Sequence, residues 1–439
     1  MKAFLLAGSC LALLAAHAQV TTGRFIADKH TGCQVWVSNG YTDSDSLTIN
    51  WTGGCLNNMA AGKGTLTWYT AGRKVSTYTG SMQKGNPNGQ GKYVFPNGFI
   101  QQGNFVDGLL NGHGKVLFPN STNKLEGHFV NGELLDLDSA YLKHLHRNVI
   151  AETDSTDMYM NDGNSKSLLY YALVPPTKAK GVLVLLPGTW DRVEYVISSN
   201  RDLCQRSFNN GIAVLVLSVN QRLTLNTDVL DFMNHAFVDA IKKYQLPKDK
   251  FVLGGFSMGG LFSIRYTEMA YADGTQTAVV PKAVYSVDGP TDLENHYWEF
   301  EKAHERNPNN QEPIYAIAEF KKNIGGPPTA FREKYIYYST FSKAEKDGGN
   351  AKYLQHVPVR IYNDVDVNWW IINRGADLYD MNALDQSAMI NFLIKQGNKQ
   401  ASFINAYGKG YRLEGNRHPH SWSIVDAPDC VKWIKECIE

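Results

Sequence analysis

The chain has 439 residues, too many for one ordinary hydrophobic core, so two or three separately packed units are expected. Its 43 lysine and arginine residues nearly balance 42 aspartate and glutamate residues, which leaves a formal net charge of +1. With no basic block and no acidic tail, this balance argues against a nucleic-acid partner, which needs a concentrated positive surface.

The first 18 residues have the pattern of a secretory signal peptide. Lys2 supplies the positive start, an apolar run covers residues 3–16, and Ala16-His17-Ala18 is a small-x-small cleavage site. The run is shorter than the ~20 apolar residues that a membrane span needs. We therefore expect cleavage and a secreted or periplasmic protein.

Five cysteines remain after removal of the signal peptide, and export permits disulfides among them. Cys33 and Cys55 lie in one glycine-rich segment and are the expected pair. Cys430 and Cys437 fall at i and i+7 of one predicted helix, too far apart along its axis to bridge each other. Any pairing of Cys204 with either of them stays open.

Residues 51–133 repeat with a period of 23 to 27 residues. An aromatic-x-Gly motif starts at Trp51 and Tyr78, and weaker forms end at Gly103 and Gly127. Gly-x-Gly recurs in the same register, at Gly62/Gly64, Gly89/Gly91 and Gly112/Gly114. A fixed period in this range predicts stacked supersecondary units.

The segments between these glycines, such as "GKYVFPNG", alternate apolar and polar residues and end in turn residues, which predicts short strands. The register resembles the MORN repeat. The resemblance implies an all-β array of hairpins over residues 19–136, stacked through their aromatic side chains. The array holds no cluster of acids, histidines or metal ligands. We therefore expect a spacer, or a binding surface for an envelope or protein partner, and no chemistry there.

Residues 134–150 show helical spacing, and we expect residues 137–160 to link the array to a second domain at 161–439. In that domain, continuous apolar segments alternate with amphipathic ones. "SLLYYALVPP" is typical of an edge strand, and "GVLVLLPG", "IAVLVLSVN" and "FVLGGF" are typical of buried strands. The alternation predicts βαβ units and a mostly parallel sheet with helices on both faces.

"FVLGGFSMGG" places Ser257 between Gly255 and Gly259, after a buried strand and before a helix. A serine needs a neighbouring base to become a nucleophile. Gly-x-Ser-x-Gly in this context is typical of a nucleophile elbow, in which glycines admit a sharp turn that exposes the serine. The alternative is a glycine-rich turn with an incidental serine.

From residue 165 onward the chain resembles the α/β-hydrolase superfamily. The resemblance implies the chain order nucleophile, acid, histidine. The acid is expected after a later strand, in "VPVRIYNDVDVNWW", and the position of Asp366 fits the family better than that of Asp364. Asp288, at the end of an earlier strand, is a less favoured candidate.

The histidine is expected between the last strand and the last helix, where "NRHPHSWS" offers His418 and His420. His420 fits better because it lies closer to the final helix. His418 precedes a proline and is restricted to an extended backbone. The predicted triad is therefore Ser257, His420 and Asp366.

An acyl-transfer enzyme also needs two backbone N–H groups for the oxyanion. The first is expected from Met258, which follows the nucleophile. The second is expected from the loop after "GVLVLLPG", where Thr189 is preferred to Trp190. Pro187-Gly188 replaces the His-Gly usual in the family. This machinery requires no metal and no organic cofactor.

The sequence therefore predicts a secreted serine hydrolase, and the resemblance implies that its substrate is a carboxylic ester, the commonest substrate of the superfamily. A serine peptidase of the same fold is one alternative, and an inactive scaffold anchored by the repeats is another. A complete triad in the expected order favours catalysis. Residues 289–355 form an insertion that we expect to cover the site as a lid. Its mixture of aromatic and charged residues favours short acyl chains over long ones.

Overall fold

The computed structural model describes residues 23–38, 46–119, 122–152, 158–159 and 167–439. The predicted signal peptide lies outside them. The described residues form two compact units. The first falls within Met1–Asp136 together with Leu413–Gly415, and the second covers Leu137–Tyr159, Ser167–Arg412 and Asn416–Glu439. No helix in the described part of the chain is long and apolar enough to span a bilayer.

The first unit is a sheet of 11 strands, as the predicted all-β array requires. From the fifth strand to the eleventh, each strand pairs with the next in antiparallel hairpins. The strands are β1 (Gly23–Ala27), β2 (Gln34–Ser38), β3 (Leu47–Trp51), β4 (Gly54–Leu56), β5 (Met59–Thr70), β6 (Arg73–Gln83), β7 (Asn86–Val94), β8 (Ile100–Val106), β9 (Leu109–Leu117), β10 (Lys124–Val130) and β11 (Glu133–Leu135).

The glycine register of the repeats has a steric cause. The buried Tyr78 ring lies against two glycines, because a Cβ would approach its hydroxyl oxygen to 2.5 Å at Gly80 and to 2.3 Å at Gly91. Trp51 is held in the same way one repeat earlier, where a Cβ at Gly64 would lie 2.6 Å from the indole ring. The glycines of the aromatic-x-Gly and Gly-x-Gly motifs therefore line the two sides of one slot, a narrow space between neighbouring strands that holds an aromatic ring.

The third repeat fills this slot with a different side chain. The Cδ2 atom of Leu110 would lie 3.2 Å from a Cβ at Gly103 and 3.1 Å from one at Gly114. The aromatic of the earlier repeats is replaced by an aliphatic group that arrives from the neighbouring strand. This explains why the sequence motif weakens while the glycines persist.

The cysteines of the two units differ. Cys33 and Cys55 form a disulfide at the start of the array, as predicted. Cys204 and Cys430 are buried thiols, and Cys437 is a partly buried one.

The second unit is built on an eight-stranded sheet in the order β12-β13-β15-β14-β16-β17-β18-β19. The first two pairings are antiparallel and the remainder parallel. This order confirms the α/β-hydrolase fold. The strands are β12 (Leu145–Glu152), β13 (Ser167–Leu173), β14 (Gly181–Leu186), β15 (Ile212–Leu217), β16 (Phe251–Phe256), β17 (Ala283–Val287), β18 (Val359–Asn363) and β19 (Ala401–Asn405).

Helices cover both faces of this sheet. Val184 belongs to the large hydrophobic core, and the neighbouring Leu183 and Leu185 face the other way and are equally buried. The helices are α1 (Ser139–Leu142), α2 (Val193–Ser199), α3 (Arg201–Asn209), α4 (Thr227–Tyr244), α5 (Met258–Ala272), α6 (Leu293–Arg306), α7 (Gln311–Asn323), α8 (Pro328–Tyr338), α9 (Val367–Arg374), α10 (Ala383–Lys395) and α11 (Ala427–Ile438). Short 3₁₀ helices in the described residues cover Gly349–Leu354, Leu378–Asp380 and Trp422–Ile424.

The structure corrects the sequence prediction at the start of this unit. The segment with helical spacing at 134–150 contains only the four-residue α1, and residues 145–152 form the edge strand β12. Strand β13, predicted as the edge, is the second strand of the sheet. The two-residue alternation typical of a strand is interrupted in β12, because its pairing with β13 shifts register between Val149 and Ala151.

Candidate active site

Ser257 lies at a sharp turn between β16 and α5. Its backbone has φ 53° and ψ −124°, a strained conformation for a residue with a side chain. A Cβ at Gly255 would lie 2.1 Å from the carbonyl oxygen of Gly259, and a Cβ at Gly259 would lie 2.2 Å from that of Leu186. The two glycines thus permit the close backbone approach that the turn requires.

The carboxyl end of β17 lies directly beside this turn. The Ser257 N–H donates to the Val287 carbonyl oxygen at 2.9 Å. The next residue, Asp288, places its Oδ2 atom 2.6 Å from Nδ1 of His420. The ring of Phe256, the residue before the serine, contacts the His420 ring at 4.3 Å between centroids.

This pair defines the state of the imidazole. The Asp288 side chain is almost fully buried, and a carboxylate can only accept hydrogen bonds. Nδ1 of His420 must therefore carry the hydrogen between them. In the neutral ring, Nε2 is left with a free lone pair, which is the arrangement that a general base requires.

The structure corrects the predicted acid, because Asp366 is bonded elsewhere. One Asp366 oxygen accepts from the Arg417 guanidinium at 2.8 Å, and the other caps α9 through the Trp369 N–H at 3.0 Å. Asp364 also binds Arg417, at 2.8 Å, and accepts from the Gly410 N–H at 2.8 Å.

Asp288 is therefore the carboxylate beside His420. Sequence reasoning ranked it lower because it assigned the acid to a later strand. Parallel strand ends converge at one edge of the sheet, so more than one strand can supply a carboxylate to the same histidine. The available signal was its position at the end of the strand that follows the nucleophile strand.

His418 lies beside His420 in a different environment. Burial lowers the pKa of His418 far below its ordinary value, and the neighbouring Arg412 and His420 act in the same direction. Its ring packs on Trp369 at 4.7 Å between centroids. The Arg374 guanidinium lies 3.4 Å from its Nε2 atom. His418 is thus a neutral residue that packs beside the site, and among the described side chains no carboxylate bonds to its ring.

The two predicted oxyanion donors lie on the loops that flank the elbow. Met258 is the first residue of α5, where helical N–H groups have no partner within the helix. Among the described residues, no backbone carbonyl group accepts a hydrogen bond from the N–H of Met258 or of Thr189. The N–H of Trp190 donates to the Asn220 carbonyl oxygen at 2.9 Å, which makes it the weaker candidate.

A carboxylate that sequence reasoning did not single out lies next to this loop. The Asp191 N–H donates to the Gly188 carbonyl oxygen at 3.1 Å. Burial raises the pKa of Asp191 to about 6, against the opposing effects of Arg412, Trp422 and His420.

The insertion between β17 and β18 reaches the same edge of the sheet. Its Tyr315, on α7, contacts the Trp190 ring at 5.1 Å between centroids. The Tyr315 hydroxyl group donates to the Gln221 side chain at 3.0 Å. Trp190 and Gln221 lie just after the carboxyl ends of β14 and β15, so α7 borders the predicted oxyanion loop.

Comparison with known proteins supports the description of the repeats in the first unit. Residues 56–73, 78–99 and 102–122 match the MORN repeat, so the chain contains MORN repeats as predicted. A search of curated proteins found no match.

Several solved esterase structures are similar to the chain. An esterase of Rhizomucor miehei is 13% identical, with 67% of this chain and 83% of that one covered and a TM-score of 0.43. Carboxyl esterase 2 of Tuber melanosporum is 14% identical, with coverages of 67% and 88% and a TM-score of 0.44. An esterase of Pyrobaculum calidifontis is 13% identical, with coverages of 67% and 82% and a TM-score of 0.42. The fold assignment itself rests on the strand order.

Proposed function

We propose that this protein is a serine hydrolase that cleaves carboxylic esters, with Ser257 as nucleophile, His420 as base and Asp288 as the acid that orients it. One observation carries the proposal. The His420 ring is bonded to a buried carboxylate and packed against the residue that precedes a strained serine elbow.

The reaction follows from these positions. Nε2 of His420 takes the proton of the Ser257 hydroxyl as Oγ attacks the ester carbonyl carbon. The N–H groups of Met258 and Thr189 stabilise the negative oxygen of the tetrahedral intermediate. The intermediate collapses, and His420 returns the proton to the departing alkoxide. Water then attacks the acyl-enzyme with the same base and releases the carboxylic acid.

The insertion supports a small substrate. Its helix α6 places charged residues around Trp298, which is 36% exposed, rather than a continuous apolar face. Such a cover does not match a long acyl chain, which needs an uninterrupted apolar surface. We therefore infer a preference for acetate and butyrate esters over palmitate esters.

We also propose that the protein is exported. The signal-peptide pattern at residues 1–18 and the disulfide between Cys33 and Cys55 support this, because disulfides persist in oxidising compartments. Cell fractionation and N-terminal sequencing would test the proposal. Retention in the cytoplasm with Met1 intact would contradict it.

The function is tested by labelling the protein with a fluorophosphonate and by assaying p-nitrophenyl esters and aminoacyl anilides. Ser257→Ala should abolish labelling and reduce ester hydrolysis by about 10⁶-fold. Ser387→Ala is the matched control, since Ser387 is an exposed serine on α10. The control should label and turn over like the unaltered protein.

The possible outcomes separate the alternatives. Preferred cleavage of anilides would identify a peptidase. Absence of labelling in the unaltered, folded protein would indicate an inactive scaffold. Labelling that survives in Ser257→Ala would remove this serine from the proposal.

A further inference from the structure

We propose that Asn363 is a positioning residue for the triad acid, acting with Asn382 and Gln386 as an amide clamp on Asp288. The inference rests on the proposed function and extends it to residues that touch neither substrate nor Ser257. The term amide clamp is used below for the side chains of Asn363, Asn382 and Gln386.

Asn363 is the last residue of β18 and is only 1% exposed. Its Nδ2 atom donates to Oδ1 of Asp288 at 2.6 Å and to Oε1 of Gln386 at 2.9 Å. The opposite orientation of the amide would set its oxygen against two acceptors. The bonds therefore fix which way this side chain faces.

The other two amides lie at the start of α10. Nδ2 of Asn382 donates to the Asp288 carbonyl oxygen at 2.9 Å and to its Oδ1 at 3.2 Å. Nε2 of Gln386 donates to the carbonyl oxygen of Gly289 at 2.9 Å. The clamp thus holds both the carboxylate of Asp288 and the backbone carbonyl groups of Asp288 and Gly289.

The backbone of Asp288 needs such support. Its φ of 49° lies in the left-handed region, which residues with side chains rarely occupy. The surrounding structure must therefore determine this conformation. The clamp and the bond from the Asp288 N–H to the Tyr362 carbonyl oxygen, at 2.8 Å, do so.

The clamp also determines which oxygen of the acid faces the imidazole. Oδ1 of Asp288 receives two amide hydrogens, while Oδ2 faces His420. The two donors hold Oδ1 toward β18 and α10, which leaves Oδ2 for Nδ1 of His420. Asn363 therefore aims Oδ2 at the imidazole.

Asn398 offers a matched control at the opposite end of the strands, where β19 begins. Asn398 is 3% exposed, and its Nδ2 atom donates at 2.8 Å to the carbonyl oxygens of Leu354 and Val357. It precedes β19 near the amino ends of the strands, away from Ser257. Substitutions of Asn398 remove a similarly buried and hydrogen-bonded amide and leave the bonds to Asp288 intact.

The experiment compares Asn363→Leu and Asn363→Asp with Asn398→Leu and Asn398→Asp in the full chain. We would measure kcat and KM against pH for p-nitrophenyl acetate. We would also measure the titration of the His420 imidazole by NMR, assigned with His420→Gln. The NMR readout does not depend on turnover, so it separates this inference from the proposed function. The nearby Asp191, His418 and Arg412 stay unchanged in all four variants.

Asn363→Leu should lower kcat by about 10- to 100-fold with KM within about twofold, because it removes a hydrogen bond to a charged group. Asn363→Asp should shift both the acidic limb of kcat/KM and the NMR titration of His420 by about one pH unit, since two carboxylates in contact in one buried site compete for a proton next to the imidazole. Asn398 variants should change only thermal stability. The inference is overturned if the Asn363 and Asn398 variants shift kcat and the His420 titration equally, or if neither pair shifts them.

Discussion

At the scale of single residues, Arg417 determines what two aspartates do. Its guanidinium binds both Asp364 and Asp366, each at 2.8 Å. A carboxylate committed to a guanidinium and to backbone donors is not available to an imidazole several residues away. Asp288, which no described cation neutralises in this way, remains for His420.

Substitution of the two aspartates should therefore give different results. Asp288→Asn should lower kcat by about 10⁴-fold, because the amide favours the wrong imidazole tautomer. Asp366→Asn should lower kcat by less than about tenfold and cost about 1–2 kcal/mol of stability, through the weakened cap of α9 and the lost ion pair. Ester kinetics and thermal melts of both variants would check this. The reverse ranking in kcat would restore Asp366 as the acid.

A buried carboxylate on α10, which contacts the first helix of the insertion, should lower the stability of the folded protein. Asp385 is 5% exposed and accepts from the Asn295 side chain at 2.7 Å. Burial raises its pKa to about 6, and the neighbouring Asp292 and Glu299 act in the same direction. The folded chain then holds this proton more tightly than the unfolded chain, so stability falls as pH rises from about 4 to about 6.

Asp385→Asn should remove this cost, because an amide oxygen can still accept from Asn295. We expect the free energy of unfolding at pH 7.5 to rise by about 1–3 kcal/mol and the gain to fade near pH 4. Denaturant melts at both values would measure it. Asp231→Asn, on the exposed face of α4, controls for neutralising a surface carboxylate. An equal gain at pH 4 and pH 7.5 would contradict this explanation.

At the scale of elements, the contact between the elbow and β14 couples two parts of the site. Gly259, in the first turn of α5, lies against the carbonyl oxygens of Leu186 and Pro187. These residues lead directly into the loop that carries Thr189. The positions of Ser257, the proposed nucleophile, and of Thr189, the proposed second oxyanion donor, are therefore set by one close backbone approach.

Gly259→Ala should disturb both at once. Its Cβ would lie 2.2 Å and 2.4 Å from these two backbone oxygens, which cannot rotate away. We expect a loss of about 2–4 kcal/mol in stability and a lower rate of fluorophosphonate labelling. Gly274→Ala is the control, since its Cβ would meet nothing closer than 3.5 Å. Equal melting temperatures and labelling rates for the two variants would argue against the coupling.

Local patterns in the sequence predicted elements well, and contacts between distant residues were harder to predict. The elbow at Ser257 and the repeats depend on glycines a few residues apart, so spacing alone indicates them. The pairing of Asp288 with His420 joins residues 132 positions apart and depends on where strands end in the sheet. Arg417, which binds Asp364 and Asp366, gives no sign of that role in its sequence context.

At the scale of the whole molecule, each of the two units has its own sheet and its own buried core. The site residues Ser257, Asp288 and His420 all belong to the second unit. Its first sheet strand is β12, which sequence reasoning assigned to a linker. A chain cut after the predicted linker would therefore lack β12, and the sheet of its second unit would be incomplete.

Two truncations should show this difference. A chain that starts at Leu137 keeps β12 and should remain soluble and hydrolyse esters. A chain that starts at Asn161, after the predicted linker, exposes the edge of β13 and should aggregate. Size-exclusion chromatography and ester assays would compare them. Equal solubility would show that β12 is dispensable, and an inactive but folded chain from Leu137 would show that the repeats contribute to activity.

The placement of Asp288 before the insertion has a consequence for how this protein can diversify. The proposed nucleophile and acid both precede residue 289, and the proposed base follows the insertion. The geometry between Ser257 and Asp288 is therefore independent of how many residues the insertion contains. The two ends of the segment from α6 to α8 lie close together, because the Thr340 N–H donates to the Thr291 carbonyl oxygen at 3.0 Å, so the segment can be exchanged as one unit. Replacing it would change which esters gain entry while the reacting groups keep their places.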